Sequence, residues 1–243
     1  MSEKKKKMLK LLLCIIFMLL AIYLIHYHYT YQVVRVVESD SKVPIIKEDE
    51  NRKLITDIKK KYNNNEIVAN LEIKNVFSTP IVQTDDNTFY LKHDLYRDSN
   101  EDGNPFLDYR NKSLNDKKII IYGKESNANT DYTSIKNYQN QNYYNNHSII
   151  NLYTEEFKKS FKIFSCFIET EDFDYTNLNS YNGLTYYEHL NKLKSKSLYD
   201  TGVEIDNNSK IIVLELLTAT PDNSKKTIVV LGTELPKDQT LPQ

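Results

Sequence analysis

The chain has 243 residues, with 32 basic and 33 acidic side chains and a formal net charge of −1. This balance provides no overall field that would favour nucleic acid or an acidic substrate. Once an N-terminal apolar segment is set aside, about 200 residues remain, which is enough for one domain with a substantial core. Aromatic residues make up 12% of the chain and are all Tyr or Phe, which suits a β-rich domain.

The N-terminal segment has the pattern of a membrane anchor. Residues 4–7 are basic, and in the apolar residues 8–25 that follow, Lys10 is the only charged side chain. Aromatic residues up to Tyr31 extend this segment to the length that a spanning helix needs. We therefore expect a cytoplasmic basic tail at residues 1–7, a transmembrane signal anchor at residues 8–31 and an extracellular remainder, that is, a single-pass cell-membrane protein. A cleavable signal peptide is the alternative, but no small-x-small cleavage site follows.

Residues 32–65 are interpreted as a juxtamembrane linker and an N-terminal helix. Pro44 is expected to break any long helix in the linker. Residues 48–62 have helical spacing, with Leu54, Ile55, Ile58 and Tyr62 on one face and charged residues on the other. This pattern fits a solvated stalk helix and a helix packed on the following domain equally well.

Residues 66–233 change to short strand-like runs separated by turn-rich segments, which indicates a closed or nearly closed antiparallel β-barrel of about eight strands. The runs lie at residues 67–73, 79–83, 89–91, 118–122, 148–153, 161–169, 211–217 and 227–231. One inserted helix is expected at residues 185–196, with Leu184, Tyr187, Leu190 and Leu193 on one face. Residues 234–243 are interpreted as a disordered tail.

The two cysteines do not indicate a disulfide framework. Cys14 lies inside the apolar N-terminal segment, and Cys166 lies in the strand-like run 161–169. The two would therefore lie on opposite sides of a membrane interface. We expect Cys166 to be a buried structural thiol, with a reactive thiol as the alternative.

The end of the predicted barrel carries the pattern most typical of a functional site. Two apolar, β-branched runs at residues 210–217 and 227–232 flank a short polar turn. Residues at which a buried strand opens into a loop are rigidly held yet reach solvent, so chemistry often occurs there. In this chain those residues are 217–220.

Several segments resemble class B sortases, in order and at fitting spacing. Residues 106–111 read Phe-Leu-Asp-Tyr-Arg-Asn, as that family does. The other matching segments are residues 65–73, 79–83, 87–94 and 197–203. The resemblance covers about residues 50–233, and it implies a sortase-like barrel with an N-terminal helix and an inserted helix behind one transmembrane helix.

The resemblance also places three catalytic positions of the family on this chain. The cysteine position is Ala219, the histidine position after Tyr-Gly is Lys124, and the arginine position is Thr227. A cysteine transpeptidase needs a thiolate nucleophile, a general acid with a pKa near 7 and a cation for the oxyanion. Alanine has no nucleophile, threonine has no charge, and free lysine has a pKa of about 10.4 against about 6.5 for histidine. No family catalytic residue is therefore intact.

Other polar residues near these positions are possible groove residues. They are Thr218, Thr220, Glu125 and Ser126. A hydroxyl would need an adjacent base to act as a nucleophile, and His93 and His147 are the candidates by residue type.

Nearby charged residues have two possible roles of their own. Glu125 and Lys124 could form an ion pair that fills the vacated site, or a solvated surface pair that adds little to stability. Lys225 or Lys226 could take the place of the lost arginine.

The leading hypothesis is a membrane-anchored, extracellular class B sortase-like protein that is a catalytically inactive pseudo-sortase. It would retain a peptide-binding or regulatory role, with sorting-signal peptides or an active sortase as partners. The alternatives are an active sortase with displaced catalytic residues and a surface structural protein with a decayed groove. We expect no cofactor, no metal and no nucleic acid; the acidic residues Asp98, Glu101 and Asp102 lack the glutamate that would complete a calcium loop.

Overall fold

The structure is a computed structural model that describes residues 44–126, 131–169, 184–219 and 225–236. The chain divides into two units, Met1–Lys47 and Glu48–Gln243. Of the first unit, residues 44–47 are described and are helical. A search of the described ranges finds no helix with the length and apolar character that a membrane span requires. The expected anchor at residues 8–31 and most of the expected tail lie outside those ranges.

In the described part of the second unit, eight strands close into a barrel in the order β1-β2-β3-β4-β7-β8-β6-β5. The strands are β1 (Ile67–Ile73), β2 (Phe77–Val82), β3 (Phe106–Leu107), β4 (Lys118–Lys124), β5 (Ile149–Tyr153), β6 (Lys158–Glu169), β7 (Ile211–Ala219) and β8 (Lys225–Glu234). The helices in the described ranges are α1 (Pro44–Tyr62), α2 (Gln141–Asn146) and α3 (Tyr186–Ser195), with 3₁₀ segments at Phe89–Leu91 and Asp131–Gln139. The mainly β class and the closed eight-stranded barrel are therefore confirmed.

The prediction of an antiparallel barrel is wrong for two pairs of neighbouring strands. Strands β4 and β7 pair in parallel from Lys118 opposite Ile211 to Lys124 opposite Leu217, and β2 meets β3 in parallel at Val82 and Phe106. Parallel neighbours need a crossover connection instead of a tight turn. Between β4 and β7 the chain forms β5, β6 and α3, and it enters β7 from the same end as β4.

Side chains alternate along the strands between the barrel interior and an outer face. Ile119 and Ile121 of β4 belong to the interior cluster, whereas Ile120 packs outward with Leu190 and Leu193 of α3. This alternation follows from the period of two in a strand. The interior is closed by aromatic and aliphatic side chains of the 3₁₀ segment Asp131–Gln139, and these are Tyr132, Ile135 and Tyr138.

Several predicted elements differ from the structure. Residues 89–91 form a 3₁₀ turn instead of a strand, because the Asp86 carboxylate accepts hydrogen bonds from the backbone N–H groups of Thr88 and Phe89 and so begins a turn. Strand β3 has two residues, too few to give a periodic pattern. The helical segments at Asp131–Gln139 and Gln141–Asn146 were not predicted.

Helix α1 packs on the barrel domain and begins earlier than predicted. It starts at Pro44, the residue that was expected to break it, because a proline fits the first turn of a helix, where its missing N–H is not needed. Ile55 is fully buried, and Ile58 and Tyr62 pack against a cluster of buried apolar residues. Asn63, with φ of 49°, ends the helix in the left-handed region. For residues 48–62 the packed helix is therefore correct and the solvated stalk is wrong.

Helix α3 was predicted at nearly the right residues but with a partly wrong face. Thr185 and Glu188 form a capping box at its start. The buried residues are Tyr186, His189, Leu190 and Leu193, whereas Leu184 and Tyr187 are exposed. His189 is buried, and its Nε2 lies 3.1 Å from Nζ of the buried Lys118.

Cys166 is a buried structural thiol, as predicted. Its side chain is fully buried in the barrel interior. Burial raises the pKa of this thiol to about 12, so the reactive thiolate is suppressed near neutral pH.

Candidate functional site

The barrel brings together, at one end of adjacent strands, the three positions that the family resemblance assigns to catalysis. Lys124, the last residue of β4, lies opposite Leu217 of β7, which lies opposite Thr227 of β8. Ala219 is two residues further along β7, and its backbone pairs with that of Lys225. The N–H of Glu125 donates to the carbonyl of Leu217 over 2.8 Å and extends the β4–β7 pairing.

Lys124, Leu217 and Thr227 lie on the outer face of the barrel. The neighbouring residues Ile121, Leu216 and Ile228 belong to the interior cluster, so alternation turns Lys124, Leu217 and Thr227 outward. The same row continues to Glu169 of β6, which lies opposite Thr227. We call the row Lys124–Leu217–Thr227–Glu169 the outer row. It has charged residues at its two ends and uncharged residues in the middle.

Lys124 is held by a loop, not by its neighbour in sequence. Its ammonium donates a hydrogen bond to the backbone carbonyl of Glu101. Glu125 instead accepts from Lys136 over 3.1 Å, and both of these side chains are partly exposed. Both interpretations of Glu125 paired it with Lys124, and both are therefore wrong about the partner, although the pair with Lys136 does lie at the surface. An exposed pair of this kind adds little to stability.

The glycine before Lys124 is required by packing inside the barrel. A Cβ atom at Gly123 would lie 2.3 Å from the ring of Tyr132, which is far inside van der Waals contact. Tyr132 is fully buried, and its hydroxyl donates to the carbonyl of Ile121 over 3.1 Å. Burial raises the pKa of Tyr132 well above its usual value, so the phenol is neutral. Tyr132 therefore fills the interior and does not occupy the outer row.

The segment that matches the family most closely, residues 106–111, forms a buried hydrogen-bond network beside the site. Asp108 is fully buried and accepts from Nη2 of Arg110 at 2.6 Å and from the hydroxyl of Tyr122 at 2.7 Å. Burial alone would raise the pKa of Asp108, but these hydrogen bonds outweigh it and hold the pKa below its ordinary value. Tyr122 lies outward on β4, two residues before Lys124. The network therefore fixes the strand that presents Lys124.

A second part of this segment anchors the start of β4. The Asn111 amide donates to the carbonyl of Lys118 at 2.8 Å and accepts from the N–H of Ile120 at 3.1 Å. Gln83, which follows β2, donates to the carbonyls of Asp108 and Asn111, both over 2.9 Å. These contacts give the matching sequence a structural role.

The hydroxyl candidates are placed differently from one another. Thr218 follows Leu217 on β7 and so lies on the opposite face of that strand, half-buried. Ser126 is buried, and its N–H donates to Oγ1 of Thr133 over 3.2 Å. Thr220 lies outside the described residues. For Lys225 and Lys226 the structure gives the backbone pairing, with Lys226 opposite Thr218.

The two histidine candidates make contacts typical of structural residues. Nδ1 of His93 lies 2.7 Å from the carbonyl of Phe89, and its ring stacks on that phenylalanine with centroids 3.9 Å apart. Nδ1 of His147 lies 3.0 Å from the carbonyl of Tyr143. Each ring is thus bound to the backbone four residues before it.

The acidic loop after β2 is organised by its own side chains. The Asp94 carboxylate accepts from the N–H groups of Tyr96 and Asp98, and the Asn100 amide oxygen accepts from the N–H of Asp102. A search of the described residues finds no group of three or more His, Cys, Asp or Glu side chains able to hold a metal ion.

Two residues beside the site have no individual role in the predictions from the sequence. Glu169 was assigned to the end of a strand, and Lys196 was assigned to a helix end. Their nearness to Thr227 depends on the β6–β8 register and on where α3 ends, which single-strand patterns do not encode. The alternation of β6 could have indicated only that Phe167 and Glu169 share a face.

Taken by its fold, the described part of the chain is a sortase-type barrel. The sortase B of Staphylococcus aureus solved in complex with substrate is 23% identical, with a TM-score of 0.69 over 86% of this chain and 94% of that one. A mutant form of Clostridium perfringens sortase B is 28% identical, with a TM-score of 0.68 over 79% of this chain and 93% of that one. No family model matches the chain.

Comparison with known sequences also finds class B sortases. Curated sortase B proteins of Listeria monocytogenes and Staphylococcus aureus are 27% identical over 154 residues and 28% identical over 155 residues. Each match spans 63% of this chain and 63% of the relative, so the chain matches less than two thirds of the relatives' length. Together, the sequence and structure comparisons support a class B sortase-like family for this chain.

Proposed function

We propose that this chain is a pseudo-sortase that binds extended peptides at the cell surface without cleaving them. One observation carries the proposal: the strand ends of a sortase-type barrel lie together, and they present Ala219, Lys124 and Thr227 in place of a nucleophile, a general acid with a suitable pKa and a cation. A transpeptidase cannot form its acyl intermediate without a nucleophile.

Two observations support a retained binding role: the ordered contacts around the end of β4, and the ligands of similar solved proteins. The Asp108 network, the close packing at Gly123 and the β4–β7 pairing hold the end of β4 in a defined position. Among the similar solved proteins, one sortase B is described as a substrate complex and another as a complex with triglycine. We propose that the outer row of this chain accepts a peptide of the same general kind.

The location of the protein is part of this proposal. The basic residues 4–7 and the apolar residues 8–25 support a signal anchor with the barrel domain outside the membrane. A cell-surface domain would meet sorting-signal peptides or an active sortase, which are the partners that we propose. Extraction of membranes at alkaline pH tests the anchor, because an integral protein stays in the pellet and a peripheral one is released.

A binding measurement tests the peptide role. The full chain, purified in detergent, is titrated with a panel of fluorescent sorting-signal peptides. The wild type is expected to bind at least one of them, and Leu217→Arg is expected to abolish binding because it places a bulky charge in the middle of the outer row. Leu54→Arg is the matched control, since Leu54 is 37% exposed on α1. Failure of the wild type to bind any peptide would refute the proposed function.

A further inference from the structure

A cation lies beside the position at which the chain has Thr227. Glu169 is opposite Thr227 in the β6–β8 register, and its carboxylate accepts from Nζ of Lys196 at 2.6 Å. The ammonium of Lys196 also lies 5.4 Å from the ring centroid of Phe167, which precedes Glu169 by two residues on the same face. Lys196 therefore extends over the β6 end of the outer row.

The backbone around Lys196 is fixed to β6, so the position of this lysine is defined. The hydroxyl of Ser165 donates to the carbonyl of Leu193 over 2.8 Å. The N–H of Cys166 donates to Oγ of Ser197 over 3.1 Å, and the N–H of Leu198 donates to the carbonyl of Cys166 over 2.8 Å. Three hydrogen bonds on both sides of Lys196 thus connect the end of α3 to one strand.

The two members of this ion pair differ in accessibility. The side chain of Glu169 is 8% exposed and that of Lys196 is 31% exposed. A nearly buried carboxylate needs a hydrogen-bonded cation, because a buried charge without one is destabilising. The carboxylate thus holds the ammonium in place, while the ammonium remains within reach of a molecule bound on the outer face.

We propose that Lys196 is the cationic recognition residue of the outer row, held by Glu169, and that it binds the backbone carbonyl oxygens of an extended peptide. Lys124, at the other end of the row, donates to the carbonyl of Glu101, and the two middle residues are uncharged. The inference rests on the proposed function, because it names the group that contacts the peptide.

A stability experiment tests the placement of Lys196 without any peptide. Lys196→Ala leaves Glu169 nearly buried and is expected to lower the melting temperature by about 3–6 °C. Adding Thr227→Arg puts a guanidinium opposite Glu169 and is expected to restore most of that loss. Lys194→Ala is the matched control, because Lys194 lies 3.9 Å from a glutamate that is 93% exposed. A melting temperature unchanged by Lys196→Ala, or no recovery with Thr227→Arg, would overturn the placement.

A binding experiment tests the recognition role on the full chain in detergent. With a peptide that the wild type binds, Lys196→Ala is expected to weaken binding about tenfold, the effect of losing one charged hydrogen bond. Lys194→Ala is expected to bind as the wild type does. Equal binding by the wild type and Lys196→Ala would overturn the inference and leave the proposed function standing. A wild type that binds no peptide would overturn both, and the melting temperatures would still show whether Lys196 is placed as described.

Discussion

The Asp108 network gives the sharpest prediction about what holds the candidate site in place. Asp108 accepts from the backbone N–H, Nε and Nη2 of Arg110 and from the hydroxyl of Tyr122. Asp108→Ala would remove all of these hydrogen bonds and leave the Tyr122 hydroxyl without its acceptor. Losing a buried partner of this kind costs about 3 kcal/mol once the partial exposure of Arg110 is allowed for.

The assay is thermal unfolding at several pH values. For a domain of this size the loss corresponds to a fall of about 6–12 °C in melting temperature near neutral pH. The folded-state pKa of Asp108 lies below its ordinary value, so its contribution is present above the unfolded-state pKa and is lost as the pH falls through the folded-state value. The difference in melting temperature between the wild type and Asp108→Ala should therefore be constant above about pH 5 and shrink below about pH 4.

Tyr122→Phe serves as the matched variant for this prediction. It removes one hydrogen bond and leaves the Asp108–Arg110 pair in place, so a loss of only about 1 kcal/mol is expected. Equal losses of stability in Asp108→Ala and Tyr122→Phe would contradict the described network. So would a stability difference between wild type and Asp108→Ala that did not change in acid.

Three further predictions concern packing. Gly123→Ala should destabilise the barrel by about 1–3 kcal/mol through the clash with Tyr132, measured by urea unfolding; a change below about 0.5 kcal/mol would contradict the described contact. Ile55→Ala should lower the free energy of unfolding by about 2–5 kcal/mol, because the side chain is fully buried, whereas Leu54→Ala on the exposed side of α1 should be nearly neutral. Equal effects of the two substitutions would argue against the packed helix. Cys166 should resist alkylation in the folded protein at pH 8, as followed by peptide mass spectrometry, and labelling at the rate of an exposed thiol would contradict its burial.

Local periodicity was sufficient to predict where the long strands lie in the sequence. Residues 67–73 were predicted as a strand and form β1 with the same bounds, because buried apolar side chains recur at every second position from Ile67 to Ile73. Residues 89–91 have the composition of a strand but follow Asp86, whose carboxylate begins a turn. A propensity for strand was overridden there by a side-chain hydrogen bond that composition does not reveal.

The arrangement of the candidate site was predicted in part. Family resemblance placed Lys124, Ala219 and Thr227 at strand ends, and the barrel brings those strand ends together. The parallel join of β4 and β7 and the approach of Lys196 to Glu169 depend on tertiary register. Such contacts link residues far apart in sequence, so no local sequence pattern can predict them.

We propose that the chain keeps a peptide-binding barrel and lacks only the catalytic groups. The most direct test compares the full wild-type chain with the triple variant Lys124→His, Ala219→Cys and Thr227→Arg. Cleavage of sorting-signal peptides in the presence of an amine acceptor is followed by chromatography. We predict that the wild type is inactive and that the triple variant cleaves at least one peptide. Turnover by the wild type would contradict the claim, since it would place a working active site elsewhere in the chain.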